Sequence, residues 1–157
     1  MKPTLEQLQQ QINDLKTQLN SLSVQSQISY NSEQAFKKRL DTPESGVYTP
    51  TLTNVANLDG STASAARYMK IGKMVLVIGT VSVDPTTTIM TQLGISLPIS
   101  SRFADIADCA GVVSASTVFN ECGAILADST NDRAEMNFRA LSSTDHAMYF
   151  IFMYQIV

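Results

Sequence analysis

The sequence predicts an α + all-β chain: an N-terminal helix that self-associates as a parallel coiled coil, then a jelly-roll-like antiparallel β-sandwich. Three observations carry this. Leu5, Leu8, Ile12, Leu15, Leu19 and Leu22 recur at spacings of three and four, the a/d register of a heptad. From Val47 onward, short apolar runs alternate with Gly, Pro, Asn and Asp turns. The terminal run Ala147–Val157 is apolar on both of its alternating faces.

The helix begins at a capping box, with Thr4 as N-cap and Gln7 three residues on, and Pro3 sits just outside. Leu5, Ile12 and Leu19 occupy a positions; Leu8, Leu15 and Leu22 occupy d. The flanking e and g positions are mostly Gln, so the apolar seam alone sets the register, and it does not choose between dimer and trimer. A stripe this narrow asks for copies of itself; an ordinary helix packed on the β domain would show a wider one. Beyond Leu22 the seam runs through Ser26, Ser29 and Glu33 before Phe36 and Leu40 restore it, while Val24 and Ile28 form a shifted stripe. A stutter or short break is expected across Val24–Ser32. Asp41–Gly46, with Pro43 and Gly46, stops the helix. The expected organisation is a stalk over 1–41, a linker over 42–46 and a β knob over 47–157.

Within the knob, strands are expected at Val47–Val55, Ala63–Lys70, Met74–Val83, Leu93–Leu97, Cys109–Thr117, Glu121–Ala127, Arg133–Ala140 and Ala147–Val157. Ile71-Gly72-Lys73 reads as a hairpin turn, and Asp84–Thr88 and Asp128–Asp132 as loops. About eight short strands at this spacing suggest a sandwich. In the last one, Met148, Phe150, Phe152, Tyr154 and Ile156 point one way and Tyr149, Ile151, Met153 and Val157 the other. One face fills the core; a neighbouring subunit is expected to cover the other.

With 157 residues there is room for one β domain and one long helix. A net charge of −3 argues against nucleic acid as a partner, and Lys37-Lys38-Arg39 reads as a solvated helix end. No apolar run approaches the length of a membrane span and none resembles a secretory h-region, so folding in the cytosol without membrane insertion is expected. Cys109 and Cys122 are then expected to be reduced, buried and inert, although they lie on neighbouring strands. Two cysteines and one histidine cannot supply a four-ligand zinc site. His146 reads as a surface turn residue, Asp128 and Asp132 as ordinary turn chemistry, and Asp105 and Asp108 as carboxylates with nothing to pair them. No nucleophile elbow, P-loop or dinucleotide fingerprint is present, so neither an enzyme nor a cofactor is expected.

The strings Gly46–Val55, Arg67–Val75, Gly79–Pro85, Leu93–Pro98 and Asn131–Ala134, with the final Tyr154-Gln155 pair, give the knob a resemblance to a β domain at the C-termini of tailed-bacteriophage fibre and virion-surface proteins. The resemblance implies a homotrimer, assembled in the host bacterial cytoplasm and exposed on the virion surface, bound to a phage capsid or tail protein. With a single heptad segment and no shaft repeats, the chain looks like a short head fibre or capsid decoration spike. Its interface would combine the trimeric coiled coil (Leu5, Leu8, Ile12, Leu15, Leu19, Leu22, Phe36 and Leu40) with Tyr149, Ile151 and Met153 of the last strand. Met1, Lys2, Pro3 and Thr4 would attach it to the virion. The alternative is a receptor-binding tail knob or short tail fibre that offers Asp59, Thr86, Thr87 and Asn131 to a host cell-surface glycan or protein.

Overall fold

The computed structural model describes residues 3–39 and 43–157, with side chains described over 3–32 and 43–157. The chain divides into two compact units, Met1–Asp41 and Thr42–Val157.

The first unit is one helix, α1 (Leu5–Arg39). Its start is the capping box: the Thr4 backbone N–H donates to Gln7 Oε1 at 2.9 Å, and the Gln7 N–H to Thr4 Oγ1 at 3.4 Å. The helix runs on through Val24–Ser32 with no break, so any stutter lies in the pattern of side chains and not in the backbone. Leu5, Leu8, Ile12, Leu15, Leu19 and Leu22 form its apolar stripe and all are exposed. The side chain of Phe36, and Leu40, Met1 and Lys2 altogether, lie outside the described residues.

The second unit is a ten-stranded antiparallel sheet. Its strands are β1 (Glu44–Tyr48), β2 (Leu52–Ala56), β3 (Leu58–Ala63), β4 (Ala66–Ile71), β5 (Met74–Pro85), β6 (Met90–Ile95), β7 (Cys109–Ala115), β8 (Cys122–Asp128), β9 (Arg133–Arg139) and β10 (His146–Gln155). They lie in the order β1-β4-β5-β10-β7-β8-β9-β6-β2, with β3 paired to β5 off that path. The long strand β5 makes this possible. Its first half, Met74–Ile78, pairs with β4, and its second half, Val81–Pro85, pairs with β3. Since β3 follows β2 directly, the sheet curls until its two ends meet at Asn57, which holds φ +59°. Gly72 supplies the positive φ of +60° that the β4–β5 hairpin needs.

The expectation of a trimeric coiled coil leading into a jelly-roll sandwich is corrected in both halves. The N-terminal part is a single helix with its stripe uncovered, and the β part is one curled sheet instead of two stacked ones. Heptad spacing fixes which side chains share a face, not what covers them. Strand alternation marks strands but carries no count of sheets. Three local expectations also change. Val47–Val55 splits at Pro50 into β1 and β2, which sit at opposite ends of the strand order. Glu44–Gly46, read as linker, starts β1. Leu58–Thr62, which lies between the expected strands Val47–Val55 and Ala63–Lys70, belongs to β3.

The inner surface of the curl is the core: Val75, Val77, Val81 and Val83 of β5, Ile125, Met136 and Phe138, and Met148, Phe150, Phe152 and Tyr154 of β10 are all buried. Gly79 lies opposite Phe150, and a Cβ there would sit 2.5 Å from that ring. The Tyr154 hydroxyl donates to Ile99 O at 2.7 Å, and its ring meets Phe103 edge-on at 5.7 Å.

Candidate functional site

The outer surface of the same sheet is also apolar. Strand registers place Val47, Arg67, Ile78, Ile151 and Val112 in one cross-strand row, Met69, Leu76, Met153 and Ala110 in the next, and Thr80, Tyr149, Ser114 and Cys122 on the other side. Tyr149, Ile151 and Met153 are 56%, 43% and 49% exposed, and their large apolar neighbours in these rows are exposed too. A shallow trough of about 500 Å³ runs between Arg67, Ile78, Val112, Tyr149 and Ile151. The character changes along the sheet. On β6 and β9 the outer side chains are Gln92, Glu135 and Asn137, hydrogen-bonded together, with Gln92 Nε2 donating to Asn137 Oδ1 at 2.8 Å and Asn137 Nδ2 to Glu135 Oε1 at 3.1 Å. A contiguous apolar patch bounded by polar groups is the signature of a contact surface. The last strand's two-sided pattern located it, and the single chain leaves that second face uncovered.

A second surface lies at one end of the sheet. The chain joins the sheet at Glu44, opposite Lys70, which registers through Val75 to Tyr154. The β7–β8 turn begins beyond Ala115, opposite Met148. Those points are about 20 Å apart along β10, at 3.3 Å per residue. At the far end Phe119 projects from the turn, 88% exposed, and Ile89, Met90 and Leu141 are exposed with it. A buried pair anchors the turns that carry Phe119 and Leu141. Glu121 (1% exposed) accepts the Leu141 N–H at 2.5 Å and meets His146 Nε2, also at 2.5 Å, while His146 (7% exposed) directs Nδ1 to Thr144 O at 2.7 Å. A carbonyl only accepts, so Nδ1 is the donor to Thr144, which leaves Nε2 facing the Glu121 carboxyl. The surface-turn reading of His146 is therefore corrected. Its parity with Met148, Phe150 and Phe152 puts it on the inner face, and that parity was available in the sequence once the strand is extended by one residue. With both ring nitrogens engaged, the imidazole has no free nitrogen to act as a base. Phe119 was missed because an isolated Phe in a Ser/Thr-rich turn carries no periodic signal.

The structure separates the four residues expected to meet a receptor. Asp59, Thr86 and Thr87 come together at the far end. Thr86 Oγ1 donates to Asp59 Oδ1 at 2.8 Å, and the Thr87 backbone N–H and hydroxyl both donate to Asn57 Oδ1, at 3.0 and 2.8 Å. Asn131 lies at the other end, where its Nδ2 donates to Asp128 Oδ2 at 2.8 Å. These polar groups hold their own turns closed. Burial alone would raise the Asp128 carboxyl, but hydrogen bonds from Asn131 and the Arg133 guanidinium outweigh it and hold the group below the usual carboxylate range. Asp105 and Asp108 cap a short 3-10 helix, Ile106–Asp108.

The two cysteines part company. Cys109 is buried on the inner face, and burial pushes its thiol up to about 12. Cys122 is exposed on the outer face, contrary to the expectation that both are buried, and both are free thiols. Among the described residues no group of three His, Cys, Asp or Glu side chains is placed to hold a metal ion, and no helix is long and apolar enough to cross a membrane. What the arrangement offers is surface for contact: a broad apolar face and an apolar tip. No family model, curated protein or solved structure matches the chain, a bacteriophage fibre protein included.

Proposed function

We propose that this chain is a non-catalytic structural module of a tailed-bacteriophage virion surface, a short head fibre or decoration spike that assembles as a homotrimer and attaches by its N-terminal end. The observation that carries the reading is the uncovered apolar face built on Ile78, Val112, Tyr149, Ile151 and Met153, which a second copy of the same face can cover. The trimer and the virion come from the resemblance of the knob strings. Light scattering on the full chain tests the assembly: the expected mass is that of three copies, and Ile151→Asp reduces it to one while the knob still melts cooperatively. A single-chain mass for the unaltered protein at tens of micromolar overturns the reading. Gold-labelled antibody on phage particles tests the location, with label on heads expected.

A second reading, a receptor-binding tail knob, is favoured by the tip. Phe119, Leu141, Ile89 and Met90 are presented at the end of the sheet away from where the chain joins it, and a buried pair fixes the turn that carries Phe119. Label on tails, together with loss of host-cell binding in Phe119→Ser, would replace the first reading by the second.

A further inference from the structure

The turn between β7 and β8 differs from the polar turns described above in what its side chains do. Around Asn57 and Asp59, and again at Asp128 and Asn131, the polar side chains are engaged with one another or with their own backbone. The β7–β8 turn is instead closed by main-chain groups. The Ser116 N–H donates to Ala147 O at 3.1 Å, the Ala115 N–H to Glu121 O at 2.9 Å and the Glu121 N–H to Val118 O at 3.3 Å. Asn120, at φ +64°, brings the chain round. The polar side chains are left over. The Ser114 and Ser116 hydroxyls reach only carbonyls at 3.5 and 3.4 Å, beyond the usual O–H···O range. Among the described residues, no hydrogen bond engages the Thr117 hydroxyl or the Asn120 side-chain amide.

These groups line a cavity of about 450 Å³ beside Phe119, whose ring is 88% exposed. That volume is ordinary for a small-ligand site. No Lys, Arg or Asp lines it, and the one carboxylate in its wall, Glu121, is buried and turned to the Leu141 N–H and His146. Ile89, Met90 and Leu141 lie outside it, so the ring is bordered by hydroxyl and amide groups and not by an apolar floor.

We propose that the β7–β8 turn binds a neutral saccharide, with the Phe119 ring as the platform for the C–H face of a pyranose and Ser116, Thr117 and Asn120 as partners for its hydroxyls. A pyranose combines the two properties that this cavity shows. Its polarised C–H groups suit the negative face of an aromatic ring. Its hydroxyls both donate and accept, as do those of Ser and Thr and the Asn amide. An anionic ligand would find no counter-charge in the wall. A large apolar anchor of a protein partner would find no apolar pocket to fill. The main-chain bonds hold the turn before any ligand arrives, so binding has only a few side chains to order. The proposal rests on the receptor-binding reading of the tip and names the class of its ligand.

Residue-resolved amide shifts of the full chain test it, with the methyl glycosides of glucose, galactose, mannose and N-acetylglucosamine as probes and that of sialic acid as the anionic control. At least one neutral glycoside is expected to shift Ser116, Thr117, Phe119 and Asn120, with a dissociation constant on the order of 1–10 mM, typical of a ligand of about a dozen heavy atoms. Phe119→Ser should weaken it at least about tenfold, and Phe119→Trp should keep or tighten it. Thr117→Val, of equal shape, should weaken it at least about threefold. No binding of any neutral glycoside up to about 50 mM, binding unaffected by Phe119→Ser, shifts confined to the outer face, or preference for the sialoside would each overturn the proposal. Host-cell binding separates it from the reading beneath it. Cells bound through Phe119 while every neutral glycoside fails would overturn the saccharide and keep the receptor reading. Glycosides bound at the turn while no cell is bound would uphold the site and remove the receptor reading.

Discussion

Phe150 and Phe152 point to one side of β10, and Tyr149, Ile151 and Met153 to the other. The two sets alternate along one strand and are similarly apolar, yet their surroundings are opposite. The two phenylalanine rings stack 5.8 Å apart inside the curl, packed with Val77, Val81 and Met148, while the other three side chains remain about half exposed. Composition does not tell these faces apart; the direction of curvature does. A sheet that curls buries its concave side with its own strands and leaves its convex side to whatever the chain meets. The inner face therefore makes the fold and the outer face is left for contacts, and substitutions on the two should separate stability from association.

The largest expected effect is on the inner face. Phe152→Ala removes a ring from the core and is expected to lower unfolding free energy by about 3–5 kcal/mol, read by equilibrium denaturation. Ile151→Ala, the adjacent residue facing out, should change it by less than about 1 kcal/mol when measured on dissociated protein. Equal losses at both positions would mean that the convex side is also core.

An intermediate effect is expected where the inner face reaches the tip. Glu121→Leu leaves the Leu141 N–H and His146 Nε2 without their partner in a buried place, which costs about 1–3 kcal/mol. Phe119→Ser, on the turn that Glu121 holds, should leave the melting curve unchanged. If Phe119→Ser destabilises as much as Glu121→Leu, the ring is packing in the fold and is not a free contact.

The sequence showed these divisions unevenly. Strand positions and the two-sided character of β10 were legible, because alternation is a local property of neighbouring residues. The capping box at Thr4 and Gln7 was legible for the same reason. The single curled sheet was not, since pairing β2 with β6 and β3 with β5 joins residues far apart in sequence, and no local pattern encodes that choice. Pro50 falls inside the single strand expected over Val47–Val55, whereas it separates β1 from β2. The receptor candidates Thr86 and Thr87 were legible as loop residues, but that they hydrogen-bond Asp59 and Asn57 depends on the curl bringing β3 beside the end of β5. His146 was hidden by placing the strand's start one residue late.

Cysteine chemistry probes the same inside–outside contrast without perturbing the fold. Cys122 on the outer face should react with a disulfide reagent at pH 8 within minutes, while Cys109, protonated and buried on the inner face, should react only as the protein unfolds. Two rapidly reacting thiols per chain would contradict the burial of β7's inner side. Cys122 also lies in the row of Thr80, Tyr149 and Ser114, so covering the outer face should slow it. In the proposed assembly its rate should rise when Ile151→Asp separates the copies, and an unchanged rate would place the proposed contact elsewhere on the sheet.

The smallest effect is on the acid limb of stability, at a polar group on the outer side of β8. Asp128 has its carboxyl held below the ordinary value by Asn131 and Arg133 against the opposing pull of burial. A carboxylate depressed in the folded state contributes stability that is fully present above its unfolded pKa of about 3.9 and is lost as pH falls through its lower folded value. Between neutral pH and about pH 5, Asp128→Asn should therefore be less stable than the unaltered chain by a small, constant amount. The two should converge as pH drops below about 4, because protonation removes the same interaction from the unaltered protein. On the inner face the Cys109 thiol should contribute nothing over that range, since it is already protonated there. A gap between the two chains that widens on acidification would reverse the assigned sign and remove Asp128 from the groups that hold the β8–β9 turn.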